Sequence, residues 1–434
     1  MEISSRLLGS PLGSSHCVGS ADGYLGSAEI EEFLSKVASS TDISAKRVVL
    51  VIPDSTRSCP ILQMLEPLYE AWSPKAASIT ALIALGTHAA MSEKEIDAFV
   101  FKGSGSWAER FPLMPVVNHE WWNPETFSQV GVISEEKLNE ISLGQLKREV
   151  PILVNKLITD SDVVITIGPV FPHEVVGFSG GTKYLFPGVS GKEMIDASHW
   201  LGALISSSEI IGTLGVTPVR EMINFAASHI ETPLLSLCLV VQTGSGNIHA
   251  LSFGAPHTAW ESAAAISSRT HISYVDLPYK RIISIIPDRY TDIWTAAKGM
   301  YKVEPIVADG GEVIIYAPHV NEFAYSHKEL EEIGYHCRAY FTEQWERFSH
   351  FPTGLLAHST HLRGAGSYSQ IEGEKCRITV TLATGISEER TRAMNLNYLD
   401  PNNLKISDFE SDLETLVNHN AGEILYRLNS KEKS

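Results

Sequence analysis

At 434 residues the chain exceeds what one ordinary hydrophobic core holds, and two domains are expected. A hydrophobic share of 44% with 20% charged residues describes a soluble globular protein, and no apolar run approaches the roughly 18 residues of a membrane helix. With 34 Lys plus Arg against 51 Asp plus Glu, the net charge of −17 argues against a nucleic-acid backbone as partner, because phosphate neutralisation needs surplus cations, and leaves room only for local basic pockets that take small anions.

The N-terminal MEISSRLLGSPLGSSHC has neither a basic n-region nor a sustained apolar core. No signal peptide is expected there, and a cytoplasmic location is. Ser27 to Ser39 reads as a helix with Ile30, Phe33, Leu34 and Val37 on one stripe. Val48 to Ile52 is a continuous apolar strand closed by Pro53-Asp54. It runs through DSTRSCP (54–60) into a helix carrying Ile61, Leu62, Leu65 and Leu68. Asp54 suits a helix cap as well as a site. Arg57 stands where the C-terminal ends of α/β strands present ligand-binding groups, and its guanidinium is a natural fork for a carboxylate. A second strand, Ile79 to Leu85, ends in Gly86-Thr87-His88, so His88 occupies the corresponding loop. A capping box at Ser92 to Glu95 opens the next helix. After Asn118-His119-Glu120-Trp121-Trp122 come a helix over Glu135 to Lys147 and strands near Ile152 and Val163. Strand–helix alternation of this kind implies a mostly parallel sheet.

The stretch from Gly168 to Trp200 is the most informative. It follows the buried strand Val163 to Ile167 and holds His173, Lys183 and His199. Gly177, Gly180 and Gly181 permit positive φ and bring bare backbone N–H groups near a ligand, in the manner of an anion nest, with Lys183 directly after them. Beyond it, Pro218 to Ala227 and Ala255 to Ser268 read as helices around the strand Leu234 to Val241. Gly244-Ser245-Gly246 lacks the third glycine and the following helix of a dinucleotide fingerprint. A break at Asp276 to Lys280 separates an N-terminal α/β cofactor-binding domain, 1–277, from a C-terminal α/β domain, 278–405. The second domain repeats the pattern, with helix Thr291 to Lys298, strands Ile282 to Ile286, Glu312 to Tyr316 and Arg377 to Thr384, and helices His327 to Ile333 and Ser387 to Met394. Residues 406–429 read as a polar amphipathic helix packing back on the first domain. The fold expected is α/β, two domains with mostly parallel sheets flanked by helices, and an active site in the interdomain cleft. Five cysteines without a C-x-x-C pair argue against disulfides and a thiolate metal cluster. The sixteen histidines are where a metal ligand is to be sought.

The motifs DSTRSCP (54–60), GTHAAMSEKE (86–95), FPHEVVGFSGGTK with LFPGVSG (171–191), SHW (198–200) and AAKG (296–299) occur in an order and spacing that resemble the nickel-pincer lactate racemase family over most of the chain. The resemblance implies a nickel-pincer nucleotide cofactor, a pyridinium-3-thioamide-5-thiocarboxylic acid mononucleotide carrying Ni. Lys183 would be its covalent tether and His199 the metal ligand, with Asp54, Gly180 and Gly181 helping to seat it. His88 and His173 would be the acid/base pair, while Arg57 and Lys298 would hold the substrate carboxylate and nearby groups. Cofactor biosynthesis proteins would be partners. The activity implied is racemisation or epimerisation of a 2-hydroxy acid by hydride transfer from C2, with an imidazole managing the hydroxyl proton for each enantiomer.

The chain departs from the family at Ser58, where relatives commonly have proline, and at Trp294-Thr295, where lactate-acting members tend to carry tyrosine and glutamine. Trp294 and Thr295 are therefore expected beside the substrate's side-chain end, which favours a hydroxy acid other than lactate. His358, His361 and Arg363, in HSTHLRGAGSYS, are left outside the site, since polar residues among glycines and serines are as often on the surface. The contrasting reading is a non-catalytic sensor or carrier of hydroxy acids or anions on the same fold, for which a tether has no use. A nicotinamide-dependent dehydrogenase would need the full glycine fingerprint that is missing.

Overall fold

The computed structural model describes residues 4–9, 15–242 and 244–429. The leader reading concerns 1–17, of which 1–3 and 10–14 lie outside the described residues. The chain forms a mixed α/β structure with mostly parallel sheets flanked by helices, the class expected from the alternating pattern. It divides into two compact units. The first comprises 1–171, 178–198 and 214–270, and the second comprises 172–177, 199–213 and 271–434. The second unit therefore takes two short stretches from the sequence-first half, where a single cut after 277 would leave none.

In the first unit seven strands lie in the order His16–Gly19, Ile248–Gly254, Leu234–Val241, Val163–Pro169, Arg47–Pro53, Ser78–Ala84 and Val116–Asn118. Pairings from Leu234–Val241 through to Val116–Asn118 are all parallel. Ile248–Gly254 runs antiparallel to its two neighbours. Val163–Pro169 and Leu234–Val241 are buried along their whole length, which is why they read as unbroken apolar runs rather than alternating ones. Helices Ser27–Ser40 and Ile61–Trp72 bury Phe33, Leu34, Val37, Leu65, Leu68 and Trp72 in the core with strand residues such as Leu50, Ile52 and Ile165.

The second unit carries a five-stranded, all-parallel sheet in the order Asn397–Tyr398, Thr379–Thr384, Val307–Ala317, Tyr279–Ile285, Thr415–Asn418. Its core gathers Ile282, Ile293, Met300, Val313, Ile315, Phe323, Tyr335 and Leu382. The helix expected over 406–429 is absent. In its place are a one-turn 3₁₀ segment, Ile406–Asp408, and two strands, Thr415–Asn418 and Leu425–Leu428, which pair with Arg281–Ser284 and Ile272–Val275. Both belong to the second unit. Parallel pairing partners decided the outcome. Each short run has β-forming residues, and tertiary pairing overrides a polar helical pattern. Among the described residues no helix is long and apolar enough to cross a membrane.

Candidate active site

In a parallel sheet the loops following the C-terminal ends of neighbouring strands converge. Arg47–Pro53 and Ser78–Ala84 are such neighbours, so Asp54 and His88 meet although 34 residues separate them. The His88 Nδ1–H donates to Asp54 Oδ2. Asp54 Oδ1 takes the Thr56 N–H at 3.1 Å and the Thr56 hydroxyl at 2.6 Å. Burial alone pushes the Asp54 carboxyl up, but the His88 and Arg57 charges with these hydrogen bonds hold it well below the usual range. Asp54 is thus a carboxylate that fixes the tautomer of His88. The backbone carbonyl of His88 accepts from Trp121 Nε1 at 2.9 Å, which anchors the loop. The guanidinium of Arg57 sits over the Phe171 ring, 5.4 Å from its centroid.

Lys183 lies in the 3₁₀ turn Gly181–Tyr184. The preceding glycines serve the turn itself: Gly180 and Gly181 have φ of +85° and +60°. A Cβ on Gly180 would lie 2.5 Å from Val170 Cγ2, and one on Gly181 would lie 3.0 Å from Trp260 Cβ. The turn is held from behind by Arg220, a wholly buried cation on helix Pro218–Ala227. Arg220 donates to Gly180 O (3.1 Å), to Phe178 O and to Thr182 Oγ1 (3.4 Å), with its guanidinium 4.3 Å above the Trp260 ring. Burial lowers its pKa to about 9, so it stays protonated at neutral pH. Trp260 Nε1 donates to Ser179 O at 2.9 Å and Thr182 Oγ1 to Asn224 at 2.9 Å, completing the frame. Reading the sequence missed Arg220 and Trp260. The available signal was an arginine on a helix whose other positions are almost all apolar or small.

The remaining expected residues, His173, His199, Trp294, Thr295 and Lys298, belong to the second unit. His173 is buried, and its Nδ1 takes the Val175 N–H at 3.2 Å while lying 3.3 Å from Glu174 Oε2. The backbone N–H suits a neutral ring and the carboxylate suits an imidazolium, an arrangement fit for a group that changes charge. His199 is on helix Lys192–Ile205. Trp200 stacks on Trp345, and a Cβ at Gly202 would lie 3.0 Å from Val175 Cγ1, so this helix runs close against the segment carrying His173. Lys298 is placed by the small residues around it. Gly299 approaches the sheet so closely that a Cβ would lie 2.6 Å from Ile286 Cδ1, and its carbonyl accepts from Ser284 Oγ at 2.6 Å. Lys298 Nζ lies 4.6 Å from the Tyr290 ring centroid.

Two residues left outside the site are buried rather than on the surface. His358, on helix Thr353–Thr360, and His361, its C-cap, are both buried, not surface loop. His358 stacks on Trp294 with ring centroids 3.6 Å apart and planes at 14°. Burial, with the nearby charges of His361 and His327, keeps His358 neutral. Among the described residues its buried Nε2 has no hydrogen-bond partner. Glu174 is half-buried, and the charges of His173, His361 and Lys298 hold it well below the usual carboxylate range. Thr295 instead donates its hydroxyl to Asp292, at 2.7 Å, whose side chain caps the helix Ile293–Ala296 by accepting the Thr295 N–H at 3.0 Å. Glu174, between a histidine and two valines in the sequence, was a legible signal that went unused.

The lactate racemase N-terminal domain family matches residues 27–212. The chain is 26% identical over 277 residues to a lactate racemase of Thermoanaerobacterium thermosaccharolyticum and 23% identical over 304 residues to one of Lactiplantibacillus plantarum. These matches take in 63% and 69% of this chain but only 60% and 64% of the two relatives. A crystal structure of a protein from Thermotoga maritima superposes with a TM-score of 0.85 at 33% identity, covering 93% of this chain and 98% of that one. The lactate racemase apoprotein of T. thermosaccharolyticum superposes with a TM-score of 0.66 at 19% identity over 94% of this chain and 91% of that one, a likeness of fold.

Proposed function

Since residues 27–212 match the lactate racemase N-terminal domain family, we propose that the chain is an isomerase that inverts C2 of a 2-hydroxy acid, using a nickel-pincer nucleotide tethered to Lys183. The residues present fit that group. Lys183 offers a primary amine on a turn held rigid by Arg220 and Trp260. His199 offers an imidazole on a well-packed helix, a donor that suits nickel. When bound, the cofactor supplies an electrophilic ring carbon able to accept the C2 hydrogen as hydride.

The protein's own groups do the rest. Arg57 clamps the carboxylate, and holding a reactant in one orientation lowers the entropic part of the barrier. His88, with Nδ1 fixed by Asp54, presents Nε2 to the substrate hydroxyl, taking its proton from one enantiomer and returning it to the product of the other. His173 has the converse role, with Glu174 balancing its charge when protonated. Each such base contributes about 10²–10⁴-fold. Trp294 and His358 line the substrate's far end, where an imidazole Nε2 without a partner among the described residues favours an acid carrying a further polar group over lactate.

The pairing of half-exposed His88 with buried Asp54 carries this reading, since an oriented imidazole is what a proton shuttle needs and a passive carrier does not. The test uses protein co-expressed with the cofactor-making proteins. Intact mass is expected to give a nucleotide adduct on Lys183 with nickel. Single-enantiomer 2-hydroxy acids, followed by chiral chromatography, are expected to racemise or epimerise. A bare chain that binds hydroxy acids without converting them would replace this reading with the carrier.

A further inference from the structure

Three potential metal ligands meet in the second unit at a place unconnected with the residues above. Cys337 precedes helix Arg338–Thr342, and Cys376 closes the hairpin Gly366–Ser369/Gly373–Cys376, with Glu374 two residues before it. The sulfurs and a Glu374 carboxylate oxygen lie within 4.8 Å of one another. Gly366 makes this possible. It pairs with Cys376 across the hairpin, and a Cβ there would lie 2.9 Å from Cys337 Cβ and 3.1 Å from its Sγ. Cys337 therefore rests on the bare backbone directly opposite Cys376.

The carboxylate is held in a fixed orientation. Glu374 Oε2 accepts from His336 Nδ1 at 2.9 Å and from Asn395 Nδ2 at 2.7 Å, with Arg363 Nη2 3.7 Å away. Asn395 adopts φ of +60°, and its amide also donates to Tyr335 O. His336 in turn stacks on Tyr340, ring centroids 3.7 Å apart. The other oxygen, Oε1, faces the thiols, 3.6 Å from Cys376 Sγ, and takes the Cys337 N–H at 2.5 Å.

We propose that Cys337, Cys376 and Glu374 Oε1 form a structural site for a zinc-class divalent cation, which clamps the 366–376 hairpin to the helix at 338–342. Tetrahedral zinc, with Zn–S of about 2.3 Å and Zn–O of about 2.0 Å, sets an S···O edge of about 3.5 Å, close to the 3.6 Å found here. Two thiolates and a carboxylate carry one negative charge beyond the cation's two. The Arg363 guanidinium, 3.7 Å from the far carboxylate oxygen, offsets it, while His336 and Asn395 supply the outer hydrogen bonds that fix a ligating carboxylate. Solvent takes the fourth position, as Glu374 and Cys376 are only partly buried.

The test uses the full chain expressed without the cofactor-making proteins and purified without a histidine tag, so that nickel on a tethered nucleotide does not enter the count. Elemental analysis is expected to find one zinc per chain. Cobalt substitution is expected to give a thiolate-to-cobalt charge-transfer band with tetrahedral d–d absorption. Cys376→Ser and Glu374→Gln should each weaken zinc retention by about 100-fold or more, while Cys17→Ser retains it. Wild-type protein with no stoichiometric zinc and no charge-transfer band overturns the site whatever the variants do. So does a disulfide between Cys337 and Cys376 in the purified protein, or full zinc retention by a folded Cys376→Ser variant.

Discussion

Asp54 accepts the Nδ1–H of His88 across two loops that leave neighbouring parallel strands. The carboxylate is buried and ionised, so the imidazole it orients presents Nε2 outward as a base. Asp54→Asn keeps the shape but lets the ring take the other tautomer. The expected outcome is a fall in kcat on the order of 10²–10⁴-fold with little change in KM, measured by chiral chromatography on cofactor-loaded enzyme. The adduct on Lys183 should survive, because Asp54 acts through His88. An unchanged kcat would free His88 of its assigned role.

Glu174 lies beside His173, its Oε2 3.3 Å from the Nδ1 that takes the Val175 N–H. A carboxylate beside an imidazole stabilises the imidazolium, so removing its charge weakens the base. Glu174→Gln is expected to move the acid limb of the pH–rate profile to lower pH and reduce the maximal rate. Sign and direction are specific. A merely structural glutamate, once replaced, would lower the rate at every pH without moving the limb.

Arg220 gives a prediction about the tether. Its guanidinium spans Gly180 O, Phe178 O and Thr182 Oγ1, a fork that an ammonium cannot reproduce. Arg220→Lys keeps the charge but leaves buried carbonyls unpaired, at a cost of about 2–4 kcal/mol. Thermal unfolding should show the loss. Intact mass should show a lower fraction of chains modified at Lys183, because the turn presenting the amine is no longer held.

How much of this was legible in the sequence follows from the range over which each feature is determined. Strands such as Leu234–Val241, and the helix Pro218–Ala227, were read with their observed ends, since continuous apolar runs and a Thr-Pro start are local signals. Residues 406–429 were misread because their pairing partners, Arg281–Ser284 and Ile272–Val275, lie over a hundred residues away. Separation in sequence also hid the meeting of Cys337 with Cys376, which a search for C-x-x-C cannot find. Motif residues near the strand ends were recognisable singly. What each touches was not: nothing in GTHAAMSEKE tells that His88 leans on Asp54, or in HSTHLRG that His358 is buried against Trp294.

His119 offers a pH test of the first unit that is independent of activity. It is fully buried, its Nε2 lies 3.2 Å from Ser190 O and its Nδ1 lies 3.1 Å from Asn155 Nδ2. Because the carbonyl only accepts and the amide nitrogen only donates, the ring is neutral with its proton on Nε2. Burial lowers its pKa to about 4 from 6.5, against the small opposing effect of the Ser190 hydrogen bond. Below pH 6.5 the unfolded chain takes up a proton that the folded chain refuses, so stability falls as pH falls, down to the folded value near 4. By pH 5 this one group costs about 2 kcal/mol relative to pH 8. For a unit of this size that is a drop of about 4–8 °C in Tm. His119→Gln, which has no proton to refuse, should lose stability at pH 8 but show a shallower decline from pH 8 to pH 5 than the parent. Parallel declines in the two proteins would mean that His119 does not titrate differently on folding.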